Sequence, residues 1–193
     1  MERVLIISSH FDDAEIGCGG TLIKHRIAGD EIIIAIMKSD EHLTGDQSLR
    51  LIEQKQSALI LNANIKIFYG SDPIETKISE LDLIKPDILY MPYELDTHQD
   101  HNRASQIGFA VSRHNSSTVL RYLTPTSHSY YPNYLSVIDM EQKKKLVSLF
   151  SSQMDRRPKF MEIMEAQNKY FGSLIPGDGH YAEGFCLFRK VQY

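Results

Sequence analysis

Four short runs dominated by branched apolar residues, at positions 4–9, 31–37, 65–69 and 88–92, alternate with polar stretches long enough for a helix. That alternation constrains the fold more than any other feature of the chain. Continuous Val- and Ile-rich runs suit strands covered on both faces, the condition of a parallel sheet. Parallel neighbours need crossover segments, and helical spacing at residues 21–28, 48–61, 74–84 and 102–114 supplies them in the right-handed sense. Beyond these, the pattern predicts strands at 119–123, 135–138 and 183–191 and helices at 140–150 and 158–171. No repeat or linker interrupts the 193 residues, so the expectation is one α/β domain over residues 1–193. Its sheet is mostly parallel, with helices on both faces.

Two charged clusters each follow a predicted strand. His10, Asp12, Asp13 and Glu15 crowd the turn after the first strand, and His98, Gln99, Asp100 and His101 follow the fourth. Clustered carboxylates repel one another and resist unpaired burial, so such a turn is costly unless a cation or a reaction uses it. The carboxyl ends of parallel strands share one edge, where clusters distant in sequence can meet. His10, Asp13 and His101 then offer two imidazoles and one carboxylate, the ligand set of an open catalytic zinc site. Asp12, beside a ligand but free of the metal, is placed to take a proton from a polarised water. Asp100 is placed to orient one of the imidazoles. The expected cofactor is Zn2+, with Fe2+ as the alternative such a donor set also accepts. The competing reading is that Asp12 and Asp13 only cap the helix that follows. Finding both clusters at matching strand ends favours a site.

Composition removes several classes of function. A net charge of −4 gives no electrostatic reason to expect nucleic acid or acidic membranes as partners, and no stretch is apolar enough for membrane insertion. The first residues lack the pattern of a secretory signal, so a cytoplasmic protein is expected. Cys18 and Cys186 are too few and too far apart for a thiolate zinc site. Gly17-Cys18-Gly19-Gly20 misses the spacing of a dinucleotide fingerprint, and carboxylates in that turn repel phosphate. The glycines are expected to bend the turn tightly, with Glu15 bracing it. Lys143 to Lys145 reads as a solvated helix face. His42, His128 and His180 fall in predicted loops; His180, flanked by glycines, is the best candidate among them for substrate contact. Tyr130 and Tyr131 lie in a loop at 124–133 that can wall a pocket, as can the loop at 38–47.

These residues resemble the PIG-L/LmbE-like N-deacetylases, zinc enzymes acting on N-acetylglucosamine derivatives. The family's Ala-His-Pro-Asp-Asp-x-Glu motif and glycine-rich sequel are met by Ser9-His10-Phe11-Asp12-Asp13-Ala14-Glu15-Ile16-Gly17-Cys18-Gly19-Gly20, and its His-x-Asp-His by His98-Gln99-Asp100-His101. Its Arg-x-x-Glu matches Arg50-Leu51-Ile52-Glu53, and its Ala-Glu-x-Phe matches Ala182-Glu183-Gly184-Phe185. Phe11 stands where the family has proline. The resemblance implies a Rossmann-like fold and an amino-sugar conjugate as substrate. It further implies zinc on His10, Asp13 and His101, Asp12 as general base, and His98 as oxyanion stabiliser or acid toward the leaving amine. Arg50 either reaches the substrate or the catalytic carboxylates, or forms an exposed pair with Glu53. Relatives often assemble into homo-oligomers, although no exposed apolar stripe here demands one. Two other readings keep parts of the pattern: a zinc amidase for a non-sugar N-acyl substrate, and a metal- or nucleotide-binding module without catalysis.

Overall fold

The computed structural model describes residues 1–39 and 46–191. Most of the loop expected at 38–47, His42 included, lies outside the described residues. In chain order the elements are β1 (Arg3–Ser8), α1 (Asp13–Ala28), β2 (Glu31–Ser39), α2 (Asp46–Leu61), β3 (Ala63–Tyr69), α3 (Ile74–Asp82) and β4 (Ile88–Pro92). There follow α4 (Gln99–Asn115), β5 (Thr118–Tyr122), β6 (Tyr134–Ile138), α5 (Met140–Val147), α6 (Ser151–Met154), α7 (Phe160–Ser173) and β7 (Tyr181–Lys190). One seven-stranded sheet has the order β3-β2-β1-β4-β5-β7-β6. Strands β1 to β5 are parallel, and β7 runs antiparallel to both β5 and β6.

The apolar runs are continuous because each strand feeds two cores. Val4 and Ile6 of β1 join Cys18 and Leu22 of α1 on one face, whereas Leu5 and Ile7 join Ala104, Ile107 and Val111 of α4 on the other. The chain goes from β1 to β2 on one side of the sheet and later returns to β4 on the opposite side of β1. That reversal opens a crevice beyond the carboxyl ends of β1 and β4, the position where open α/β sheets bind ligands.

The first helix begins earlier than its apolar spacing suggests, at Asp13 instead of residue 21. The glycines therefore do not bend the turn; they lie inside α1, where their missing side chains let the helix approach its neighbours. A Cβ on Gly17 would sit 2.3 Å from the Tyr122 ring, and one on Gly20 2.6 Å from Ile138. Tyr122 also donates its hydroxyl to the Ile7 carbonyl at 2.8 Å, tying β5 to β1. The bend falls on Asp12, whose φ of 98° is left-handed. Residues with a Cβ hold that conformation at a cost of up to roughly 1–2 kcal/mol, lowest for asparagine and aspartate.

Lys143 departs from the solvated face expected of the basic run. Its side chain is buried, and Nζ lies 2.7 Å from Glu183. Glu183 also accepts from the Gly20 and Thr21 amides and the Thr21 hydroxyl. The pair links α5, β7 and the middle of α1, so its loss should be felt throughout that face. Glu183→Gln, which leaves a buried ammonium without its counter-charge, is expected to cost about 3–5 kcal/mol in urea unfolding. Lys143→Met, which leaves Glu183 its amide and hydroxyl donors, should cost less.

Candidate metal centre

The turn between β1 and α1 carries the first cluster, and its conformation is clamped from α2. Arg50 donates to the Phe11 carbonyl at 2.7 Å and lies 3.3 Å from an Asp12 oxygen. Gln54 accepts from the Asp12 amide at 3.4 Å and donates to Glu15 at 2.7 Å, and Ser57 donates to the same Glu15 oxygen at 2.5 Å. Glu15 thus braces the turn, as its position suggested. Arg50 turns inward to the carboxylate turn and makes no pair with Glu53. Glu53 instead accepts from Ser151 and from the amide and hydroxyl of Ser152, fixing the start of α6.

The second cluster opens α4. His98 is its N-cap, with Nδ1 accepting from the Asp100 amide at 3.2 Å. Ser9 bridges the clusters by donating to the Asp100 carbonyl at 3.2 Å. Asp13 Oδ2 then lies 3.4 Å from His10 Nδ1 and 3.5 Å from His101 Nε2. These three donor atoms fall within 4.8 Å of one another, as do one atom each of His10, His98 and Asp100.

The donor chemistry separates the two groupings. His10 Nε2 faces Asp100 at 3.1 Å and His101 Nδ1 faces Asp96 at 3.0 Å. Each imidazole can give its N–H to a carboxylate behind it, which leaves His10 Nδ1 and His101 Nε2 as free lone pairs toward Asp13. Ligands at about 2.0–2.1 Å around a tetrahedral zinc lie about 3.4 Å apart, the separation of Asp13 from each imidazole. The trio His10, Asp13 and His101 therefore fits a divalent metal; the other trio would take Asp100 as a ligand and so remove the carboxylate that supports His10.

Asp96 was not singled out as a functional residue by the sequence, although it stands in the same short segment as His98 and His101. It is held by the Thr124, Thr126 and Ser127 hydroxyls and the His98 amide. Burial would raise its carboxyl, but the threonine hydrogen bonds prevail and hold it below the usual range. Asp96→Asn and Asp100→Asn are each expected to weaken metal binding by about 10–100-fold in a competition assay against a chromogenic chelator.

Charge in the site is strongly coupled. Burial pushes Asp12 up, and the neighbouring Asp13 charge adds to it. Burial acts the same way on Asp13, but hydrogen bonds to His10 and His101 overcome it and hold that carboxyl far below its ordinary range. Burial lowers His98, and the adjacent His101 and His10 lower it further. A pocket of about 180 Å³ joins the metal trio to Asp12, Arg50 and His98, with Pro125, Thr126 and Arg157 among its other walls.

No family model matches the chain. A diacetylchitobiose deacetylase of Thermococcus kodakarensis is 28% identical over 95% of this chain and 82% of its own length. The crystal structure of an N,N'-diacetylchitobiose deacetylase from Pyrococcus horikoshii, bound to an inhibitor, superposes with a TM-score of 0.80 at 25% identity, covering 97% of this chain and 84% of that one. A conserved protein from Thermus thermophilus gives a TM-score of 0.84 at 26% identity, over 100% of this chain and 97% of that one. These likenesses agree with the resemblance of the sequence motifs to the PIG-L/LmbE-like deacetylases.

Against the PIG-L/LmbE-like pattern, Phe11 in place of proline is a core substitution: its side chain is 1% exposed, packed with α1, and absent from the pocket wall. Of the segment 124–133, Pro125 and Thr126 do wall the pocket. The Tyr130 hydroxyl instead lies against the Arg121 and Gly184 carbonyls, and Tyr131 and His128 point to solvent. His180, the best loop candidate for substrate contact, does not reach the pocket either. It lines a separate recess with Lys169 and Ser173. Gly172 explains why: a Cβ there would meet the His180 carbonyl at 2.0 Å, so the loop lies packed back on α7.

Proposed function

We propose that this chain is a zinc-dependent hydrolase that removes the N-acetyl group from an N-acetylglucosamine-type derivative. The observation that carries the proposal is the convergence of His10, Asp13 and His101 at the sheet's switch point, with Asp12 and His98 on the rim of the same pocket. The relatives named as diacetylchitobiose deacetylases support the substrate class.

His10, Asp13 and His101 would hold the zinc, which when bound supplies Lewis acidity toward the amide carbonyl and toward water. Asp12 takes a proton from the attacking water as the new C–O bond forms. Its raised affinity for protons suits it to hand that proton to the amide nitrogen as the C–N bond breaks, releasing acetate and the free amine. His98 has its Nδ1 occupied by the Asp100 amide, so its proton sits on Nε2. Held below its ordinary value by burial and then by its histidine neighbours, it is neutral near pH 7 and serves as a hydrogen-bond donor to the oxyanion. Arg50 positions Asp12 and fixes the strained turn beneath it.

Metal loading should release protons. Burial alone would lower His101, but Asp13 and Asp96 raise it to about 9, and His10 is raised too, chiefly by Asp13 working against burial. Below those values a metal competes with protons, so affinity rises with pH toward about 9 and levels above it. Calorimetry at pH 7 in buffers of different ionisation enthalpy should show about one to two protons released; pH-independent affinity between pH 6 and 8 would contradict the ligand set. For the reaction itself, acetate release should be detected from N-acetylglucosamine glycosides and diacetylchitobiose. Release from simple acetamides alone would instead favour a non-sugar amidase.

A further inference from the structure

The 180 Å³ metal pocket is smaller than the ~300–1,000 Å³ of sites that enclose a ligand of drug size. A second cavity of about 580 Å³ adjoins it, and Ile16, Pro125, Arg157 and Phe160 line both. Ile16 is one helical turn from Asp12, its amide bonded to the Asp12 carbonyl at 2.9 Å. The larger cavity runs between α7, the first turn of α1 and the segment after β5, and Leu123, Pro158, Ile163, Met164 and Phe171 give it apolar walls. Its buried charges are satisfied within the protein: Lys143 pairs with Glu183 at 2.7 Å, and Glu183 takes the Gly20 and Thr21 amides. No free charge in that pair asks for an ionic ligand, whereas the apolar wall rewards a ligand that displaces water.

We propose that this cavity is a substrate subsite for an apolar substituent, carried either on the sugar's anomeric oxygen or on the acyl carbon, while the amide lies in the metal pocket. The inference rests on the amino-sugar amide reading for the orientation of the ligand, yet its test needs no turnover. Binding of two ligand series to the purified full chain is measured by calorimetry: alkyl N-acetyl-β-glucosaminides from methyl to octyl, and N-acylglucosamines from acetyl to octanoyl. In one series the dissociation constant should fall roughly threefold per added methylene until the cavity is filled. The series that responds identifies which side of the amide faces the cavity.

Gln167→Trp and Ile163→Trp, both at exposed positions of α7 on the cavity wall, should flatten that dependence and leave the affinity for the methyl N-acetylglucosaminide unchanged. Chain-length independence in both series would overturn the subsite, as would a gain that survives both substitutions. Acetate release from the methyl glycoside, measured in parallel, tests the hydrolase reading separately: its absence with chain-dependent binding would retain the cavity and reject the reaction.

Discussion

Asp12→Asn should lower kcat by about 10²–10⁴-fold while leaving one metal ion per chain and little change in KM. Asparagine is the informative replacement because the position has a φ of 98°, which Asn tolerates and alanine does not. The amide keeps the shape of the carboxylate, and Arg50 keeps its 2.7 Å bond to the Phe11 carbonyl, so the turn stays clamped from α2. Only the proton acceptor is removed. Turnover within tenfold of the natural protein would reject Asp12 as the base.

His101→Ala should abolish stoichiometric metal and, with it, detectable deacetylation. The substitution removes one of three donor atoms and also leaves Asp96, fully buried behind the imidazole, without its ring partner. The Thr124, Thr126 and Ser127 hydroxyls still satisfy that carboxylate, so the variant should remain folded, destabilised by about 1–3 kcal/mol in thermal melts. Full metal content in a folded His101→Ala protein would show that the ion sits elsewhere.

The sheet was readable because the strands of this fold are buried on both faces and so leave continuous apolar runs; the structure adds only the antiparallel edge made by β6 and β7. The adjacency of the two clusters was readable for a related reason, since parallel strands bring β1 and β4 to one edge. What escaped was whatever depends on packing at a distance. The glycines of α1 signal a turn in sequence, but close approach of Tyr122 and Ile138 explains them. Lys143 sits in a basic run, and only the fold supplies Glu183 from far along the chain. Asp96 has no periodic signature, because its role is set by the segment after β5 folding over it and by His101 from α4. His180 shows the converse: glycine-flanked and polar, it is held away from the pocket by the packing of its loop on α7.

Two groupings share His10, and the choice between them decides the chemistry. In crystals of the zinc-loaded protein, anomalous scattering at the zinc edge locates the ion directly. The account predicts one strong peak bounded by His10 Nδ1, Asp13 Oδ2 and His101 Nε2, with Asp12 and His98 beside it but unligated. A peak among His10, His98 and Asp100 would contradict it.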